Sequence, residues 1–249
     1  MSVPLYKPLN TLKPVADNIW IVDGGSIQMN VWKFGIPFST RMTIVKLKNN
    51  SLWCHSPIKP TDSLLKEINK LGKVKHLVSP NKIHYAYIGE WKSHYPNATA
   101  WASPGVEERA TSQNINVTFD KILKKEPPLE WAEEIDQLIF KGSSAVEEVV
   151  FFHKSSHTLI LADLIENFEP KWTENRFWRT VYKLAGIADP DGKIPIDFRM
   201  TFIGRKDKAR KSFEQMLEWK PEKIILAHGR WYQENRTEEL KRAFRWLEK

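Results

Sequence analysis

The sequence predicts an α/β fold in which two β-sheets pack face to face between two outer layers of helices, a four-layered αββα sandwich. Three observations support this prediction. The chain has 249 residues, of which 41% are hydrophobic, so it can bury a core of ordinary size within one large domain. No linker, repeat or low-complexity tract divides it, and we expect one domain over residues 1–249. Each half begins with short strands and continues with helices, the pattern of two packed sheets with helices outside.

The first half of the sequence predicts a meander of short strands. Ile19–Val22 has the composition of a short strand, and the Asp-Gly-Gly sequence at 23–25 predicts a turn at its end. Two further strands are predicted at 42–47 and 51–56, separated by an Asn-Asn turn. Short strands joined by turns in this way are typical of an antiparallel sheet.

From residue 61 the hydrophobic period changes to that of a helix. Thr61 can cap this helix and Gly72 can end it. Its apolar face is formed by Leu64, Leu65, Ile68 and Leu71. Strands and helices then alternate, with a strand at 76–79, a loop and helix within 83–95, a strand at 99–102 and a helix at 104–110.

The second half repeats the order of strands before helices. Strands are predicted at 136–140, 148–152, 158–162 and 223–227. The second and third are apolar on both faces, so we expect them in the centre of a sheet. Helices are predicted at 174–184, at 206–219 and from Thr237 onwards, with a turn at 189–192.

The net charge of +8 raises the question of a polyanionic partner. The densest basic run lies at 205–211, and apolar residues recur at helical spacing through and after it, namely Ala209, Phe213, Met216 and Leu217. This pattern is typical of the exposed face of an amphipathic helix. We therefore expect no nucleic-acid partner, and we expect the partner to be a small molecule or a protein.

The cysteine content and the lengths of the apolar stretches predict the cellular compartment of the protein. A single cysteine, Cys54, excludes an internal disulfide and fits a reducing environment. Prolines at positions 4, 8 and 14 interrupt any apolar block of signal-peptide length. No apolar stretch approaches the roughly 18 residues that a membrane-spanning helix needs. These features predict a cytoplasmic protein without a transmembrane segment.

Three predicted strands have a polar side chain at or directly after their carboxyl end, at the edge where open α/β sheets bind ligands. These side chains are His55, Asp163 and His228. A fourth polar cluster, within 79–85, adds three candidate side chains, namely Lys82, His84 and Tyr85. The sequence therefore predicts a cleft lined by residues from both halves of the chain.

Two other groups of ionisable residues are interpreted as structural. His153 and His157 stand four residues apart, but their segment connects two strands, which predicts a solvated turn and not a metal site. Glu147 and Glu148 precede an apolar strand and are interpreted as its charged start.

The order of these elements resembles the metallo-β-lactamase-like hydrolase family, and the similarity covers nearly the whole chain. Leu161-Ala-Asp163 is similar to that family's strand-end aspartate, which bridges two metal ions. Leu226-Ala-His228-Gly229 is similar to its last histidine motif. Within the family, the chain is most similar to the uncharacterised DUF4336 branch. The resemblance implies a four-layered αββα sandwich with its site at these strand ends.

The sequence departs from the family's His-x-His-x-Asp-His cluster. In one alignment Pro80 and Lys82 take the places of its first two histidines. His84 then stands on the aspartate and Tyr85 on the last histidine, whereas a shift of two residues places His84 on the second histidine.

Two further positions differ. Ser144 stands where the family has another histidine ligand, and His55 stands near the aspartate that ends an early strand. Two divalent ions need roughly seven or eight protein ligands, so the resemblance implies that the dinuclear centre is largely lost.

Two hypotheses for the function follow. In the first, the cleft binds a small molecule or a protein and holds no cofactor. In the second, His84, Asp163 and His228 hold a single zinc, iron or manganese ion, and the protein is a mononuclear metal-dependent hydrolase. If the metals are lost, Asp163 is expected to be buried and paired with Lys82, His84 or His228, with Lys82 as the leading partner.

Overall fold

Two sheets form the centre of the protein in the computed structural model, which describes residues 5–31, 34–170, 176–234 and 236–248. The first sheet contains, in spatial order, β1 (Lys13–Ala16), β2 (Ile19–Val31), β3 (Phe34–Lys46), β4 (Ser51–His55), β5 (Lys73–Ser79), β6 (Thr99–Ala102) and β7 (Lys121–Ile122). Strands β1 to β4 pair antiparallel, and β4 to β7 pair parallel.

The second sheet contains β8 (Ile135–Phe140), β9 (Glu148–His153), β10 (Thr158–Ile160) and β11 (Lys223–Ile225), in the spatial order β11-β10-β9-β8. Strands β8, β9 and β10 pair antiparallel, whereas β10 and β11 run parallel. The prediction that β9 and β10 are central strands is confirmed.

Helices cover the outer faces of both sheets. The helices after the first meander are α1 (Asp62–Leu71), α2 (Ile88–His94) and α3 (Val106–Ser112). The later helices are α4 (Arg176–Ala185), α5 (Ile196–Met200), α6 (Lys206–Glu218) and α7 (Arg236–Phe244), followed by a 3-10 turn at Arg245–Leu247. The predicted caps of α1 are present, because the Thr61 side chain accepts a hydrogen bond from the Leu64 amide and Gly72 follows the last turn.

Three layers of apolar side chains separate the four layers of backbone. Residues of α1, α2 and α3 pack on the outer face of the first sheet. Residues of both sheets, including Trp53, Trp101, Phe151 and Ile225, pack between the sheets. Residues of α6 and α7 pack on the outer face of the second sheet. The αββα sandwich is therefore confirmed.

The long hairpin of β2 and β3 differs from the prediction. No turn occurs at 23–25, because β2 continues through these residues with a register shift between Asp23 and Ser26. A Cβ on Gly24 would come within 2.5 Å of the Thr40 hydroxyl, so the glycine permits close strand approach at a bulge. The Asp-Gly-Gly signal therefore marks a bulge, and the predicted turn is wrong.

Other differences are smaller. β7 and α5 were not predicted, because two and five residues carry too little periodicity. β10 and β11 end two residues before their predicted ends, at Ile160 and Ile225. The predicted start of α4 at 174 lies outside the described residues. Among the described residues, no helix is both long and apolar enough to cross a membrane.

The basic run at 205–211 lies on α6 and just before it. Ala209, Ser212 and Met216 are buried, while Lys206, Lys208 and Lys211 are exposed. The prediction that these charges form the exposed face of an amphipathic helix is confirmed.

Candidate metal centre

The candidate site lies where loops from both sheets meet. Asp163 follows β10 and His228 follows β11, and these strands are parallel neighbours. The Leu161 amide donates to the Ile225 carbonyl at 2.9 Å, which keeps the two chains side by side after the strands end. His84 comes from the loop after β5 of the first sheet. The fold therefore brings residues 84, 163 and 228 together.

Asp163 is the centre of the cluster. Its Oδ1 lies 3.1 Å from His84 Nε2 and 3.2 Å from His228 Nε2. One ligand atom from each of the three residues lies within 4.8 Å of the other two. Asp163 is 5% exposed and His228 is 4% exposed. The prediction that Asp163 is buried and paired with a cationic or histidine side chain is confirmed.

Lys82 is not the partner of Asp163. Its side chain lies against Gly105, at the start of α3, and the ion pairs of Asp163 with described residues are those with the two histidines. The expectation that Lys82 is the leading partner is therefore wrong. The physical reason is the path of the loop, which directs His84 inward and leaves Lys82 beside α3.

A backbone carbonyl fixes the ring of His228. Its Nδ1 lies 2.6 Å from the Ser39 carbonyl oxygen in β3. Because a carbonyl oxygen only accepts, Nδ1 carries a proton and donates it. In the neutral ring, Nε2 then presents a lone pair to Asp163 Oδ1. Because two lone pairs repel, their separation of 3.2 Å requires either a second proton on the ring or a cation between Nε2 and Oδ1. Metal-ligating histidines have this arrangement of carbonyl, ring and open nitrogen.

The ring of His84 is held by a hydroxyl. Ser56 Oγ lies 2.5 Å from His84 Nδ1, and the Ser56 amide donates to the Val78 carbonyl at the end of β5. A hydroxyl can either donate or accept, so Nε2 of His84 can face Asp163 as a donor or as a lone pair.

Two buried side chains hold the carboxylate of Asp163. Asn81 Nδ2 donates to Asp163 Oδ2 at 2.7 Å and to Glu148 Oε2 at 3.1 Å. Glu148 accepts hydrogen bonds from the backbone amides of Ala162 and Asp163. Glu148 is 1% exposed, so its interpretation as a charged strand start is wrong. It positions the loop that carries Asp163.

The pKa values of the two buried carboxyl groups are shifted in opposite directions. Burial raises the pKa of Asp163, but the charges of His84 and His228 and their hydrogen bonds outweigh burial and hold the pKa well below its ordinary value. Burial and the nearby charge of Asp163 raise the pKa of Glu148, although three N–H donors oppose this shift. Asp163 is thus the group that keeps a negative charge in the cluster.

An arginine from the first sheet holds the loop of His228. Arg41 Nη1 donates to the carbonyls of Leu226 and Gly229, at 2.7 and 2.8 Å, and Arg41 Nε donates to Asp23. Gly229 has a φ of +84°, and a Cβ there would lie 2.2 Å from the Asn167 carbonyl oxygen. A glycine is therefore required for this close approach.

Two cavities adjoin the cluster, and Phe38 and Ile83 line both. The first, here called the basic cavity, has a volume of about 260 Å³ and contains Arg41, Arg109, His84 and His228. The second, here called the acidic cavity, has a volume of about 400 Å³ and contains Asp163, Glu166 and Asp197. Both volumes are close to the range of small-molecule sites.

The remaining predicted cleft residues are placed differently. Tyr85 is buried and lines the basic cavity. His55 is buried, stacks on Trp53 and leaves its Nε2 without a partner, and burial lowers its pKa to about 3. Ser144 is exposed and donates to the Thr201 carbonyl, so it does not join the cluster.

The histidines of the β9–β10 connection also differ from each other. His157 is exposed in the turn, as predicted. His153 is buried at the end of β9 and bonds to Ser156, so its interpretation as a solvated turn residue is wrong.

Solved structures that are similar to this chain include metallo-β-lactamases and a rubredoxin oxygen:oxidoreductase. DIM-1 metallo-β-lactamase exposed to ceftazidime matches with a TM-score of 0.62 and 16% identity, over 98% of each chain. FIM-1 metallo-β-lactamase from Pseudomonas aeruginosa, in the mono-zinc form, matches with a TM-score of 0.60 and 10% identity, over 96% of each chain. Rubredoxin oxygen:oxidoreductase from Desulfovibrio gigas matches with a TM-score of 0.63 and 14% identity, over 96% of this chain and 62% of that one.

At these identities the structural matches show the fold alone. No curated protein sequence matches the chain. The model of a sequence family, a domain of unknown function designated DUF4336, matches residues 16–175, which include β2 to β10, His84 and Asp163. The chain therefore belongs to the DUF4336 family and has a metallo-β-lactamase-like fold.

Proposed function

We propose that this protein is a hydrolase of small molecules that uses one divalent metal ion held by His84, Asp163 and His228. The observation that carries the proposal is the orientation of His228. Its Nδ1 donates to the Ser39 carbonyl, so its Nε2 is directed at Asp163, beside Nε2 of His84. Two imidazole nitrogens and one carboxylate are a ligand set that zinc, iron and manganese accept.

The residues present fit one ion better than two. Within the described ranges, these three side chains form the only cluster of three or more potential histidine, cysteine or carboxylate ligands. Lys82, which takes a histidine's place in one alignment, lies beside Gly105. The mono-zinc form of FIM-1 supports the proposal, because it shows that a protein with this fold can be occupied by one zinc ion.

A divalent ion at such a site lowers the pKa of a bound water and polarises a carbonyl or phosphoryl oxygen. The protein's own groups would serve binding and orientation. The Ser39 carbonyl and the Ser56 hydroxyl orient the two rings, and Asn81 and Glu148 hold Asp163. The two cavities that adjoin the cluster would give a small substrate room to approach it.

Elemental analysis tests the proposal. The purified protein, reconstituted separately with zinc, iron and manganese and then desalted, should retain about one equivalent of at least one metal. His228→Ala and Asp163→Ala should lose it. His157→Ala, which removes an exposed histidine at the opposite end of β10 from Asp163, should not. Less than about a tenth of an equivalent of all three metals, with the protein folded, would contradict the proposal.

A second candidate function is a metal-free binding cleft. It is favoured by one observation, the direct contacts of Asp163 with both histidines at 3.1 and 3.2 Å, which satisfy the carboxylate when either ring is protonated. The same elemental analysis separates the two candidates. A folded protein that retains no metal and binds small molecules in either cavity supports the second.

A further inference from the structure

The acidic cavity lies between the metal cluster and the helices α4 and α5. Its walls are mostly apolar, and the side chains that form them include Phe38, Ile83, Val146, Val181, Ile187 and Phe198. Asp163 lies at its inner end, and Ile196, which is 45% exposed, lies at its mouth. A ligand that fills this cavity therefore buries an apolar body next to the candidate metal centre.

One buried carboxyl group in the acidic cavity is unsatisfied. Glu166 is 5% exposed, and its Oε2 has no hydrogen-bond partner. Its backbone pairs with Lys193 in an isolated bridge, and the Glu166 amide donates to the Lys193 carbonyl, which fixes the position of its backbone in the wall. An unpaired buried carboxyl oxygen is costly, and a ligand with a hydrogen-bond donor at this position would supply the missing partner.

The charge of the acidic cavity also points to a cation. Besides Asp163, whose carboxylate is paired with the two histidines, its described lining residues include the carboxyl groups of Glu166 and Asp197, and no lysine, arginine or histidine. The described lining of the basic cavity is the opposite, with Arg41 and Arg109 and no carboxyl group. Since the whole chain has a net charge of +8, the acidity is local to this cavity.

We propose that the acidic cavity binds a small amine, with its apolar body against the walls and its protonated nitrogen at Glu166. The rest of such a ligand would extend to the cluster of His84, Asp163 and His228. The inference that this amine is the substrate rests on the proposed function, whereas the binding itself does not. If the protein is the proposed hydrolase, its substrate would be a small amine with an apolar body.

Three probes with one apolar body test the proposal. They are 4-butylbenzylamine, 4-butylbenzyl alcohol and 4-butylbenzoate, and their binding to the full chain is measured by calorimetry. The amine should bind about tenfold tighter than the alcohol, since a charge-assisted hydrogen bond contributes more than a neutral one. Each measurement is made on metal-reconstituted and on chelated protein, because a carboxylate can also bind a metal.

Variants identify the cavity. Glu166→Gln keeps the shape of the side chain and should bring the affinity for the amine down to that for the alcohol. Glu214→Gln, at an exposed carboxyl of α6 outside the cavity, should keep the preference. Val181→Trp and Ile196→Trp narrow the cavity from two helices and should weaken the amine and the alcohol together. Thermal melting confirms that each variant is folded.

Equal binding of amine and alcohol, or a preference that survives Glu166→Gln, would overturn the proposal. So would unchanged binding in both tryptophan variants. Metal content is measured on the same samples. Preferred amine binding in a protein without metal refutes the hydrolase alone, and bound metal without amine preference refutes the amine site alone.

Discussion

Replacing Asn81 tests the role assigned to the buried support of the cluster. Asn81 has no exposed surface, and its side chain makes four hydrogen bonds. Nδ2 donates to Asp163 and Glu148, and Oδ1 accepts from the amides of Ile83 and His84. Asn81→Ala removes all four and leaves two carboxyl oxygens and two amides without this partner.

The expected change in the free energy of unfolding follows from these four hydrogen bonds. Three of them are ordinary, at about 1 kcal/mol each, and the bond to the charged Asp163 contributes about 1.5 to 3 kcal/mol. Because neighbouring contributions are not additive, we expect Asn81→Ala to lower the free energy of unfolding by about 3 to 5 kcal/mol. This is a large share of the total stability of a typical domain.

Urea denaturation with a chelator present measures this change without a contribution from bound metal. Gln113→Ala, at an exposed position after α3, is the matched control and should change the free energy of unfolding by less than about 0.5 kcal/mol. A loss below about 1 kcal/mol in Asn81→Ala would refute the reasoning, because it would mean that water or a rearranged loop replaces the lost bonds.

Two other predictions concern the backbone and the response to acid. Gly229→Ala should lower the free energy of unfolding by more than about 2 kcal/mol in thermal melts, because the new Cβ would meet the Asn167 carbonyl oxygen, whereas Gly204→Ala, also at positive φ but in open space, should lower it by about 1 kcal/mol. Similar losses in the two variants would contradict the steric reason. Burial lowers the pKa of His153 from 6.5 to about 4, so the unfolded chain binds the additional proton between these values, and stability is lost as the pH falls from 6.5 towards 4. His153→Gln should therefore reduce this loss in denaturation curves taken across the window, and His157→Gln should not; an unchanged slope in His153→Gln would show that other groups cause the acid sensitivity.

Local patterns were sufficient to predict most elements. The apolar residues of α1 recur every three or four positions, with Thr61 and Gly72 at its ends, so hydrophobic period and capping chemistry agree. β9 and β10 are continuous apolar runs, which predicts central strands. Asp163 and His228 were identified for a related reason, because a polar residue directly after such a run lies at a sheet edge.

The hydrogen bonds that hold the cluster residues in place could not be predicted from the sequence, because they join distant parts of the chain. Asn81 bonds to Glu148 across 67 residues, and Arg41 bonds to the Leu226 carbonyl across 185. No local pattern in the sequence reports such pairs. The predicted direction of the Lys82 side chain was wrong for the same reason. An alignment gives the position of a residue in a loop, but it does not show to which side of the loop the side chain points.

The two sheets contribute different residues to the cluster, so the cluster connects one sheet to the other. Asp163 and His228 belong to loops of the second sheet, whereas three groups that contact their side chains, His84, Asn81 and the Ser39 carbonyl, belong to the first. Separating the sheets would break all of these contacts at once. Any ligand held by the cluster would therefore act as a cross-link between the two halves of the sandwich, and its binding free energy would add to the cohesion of the interface that forms the core.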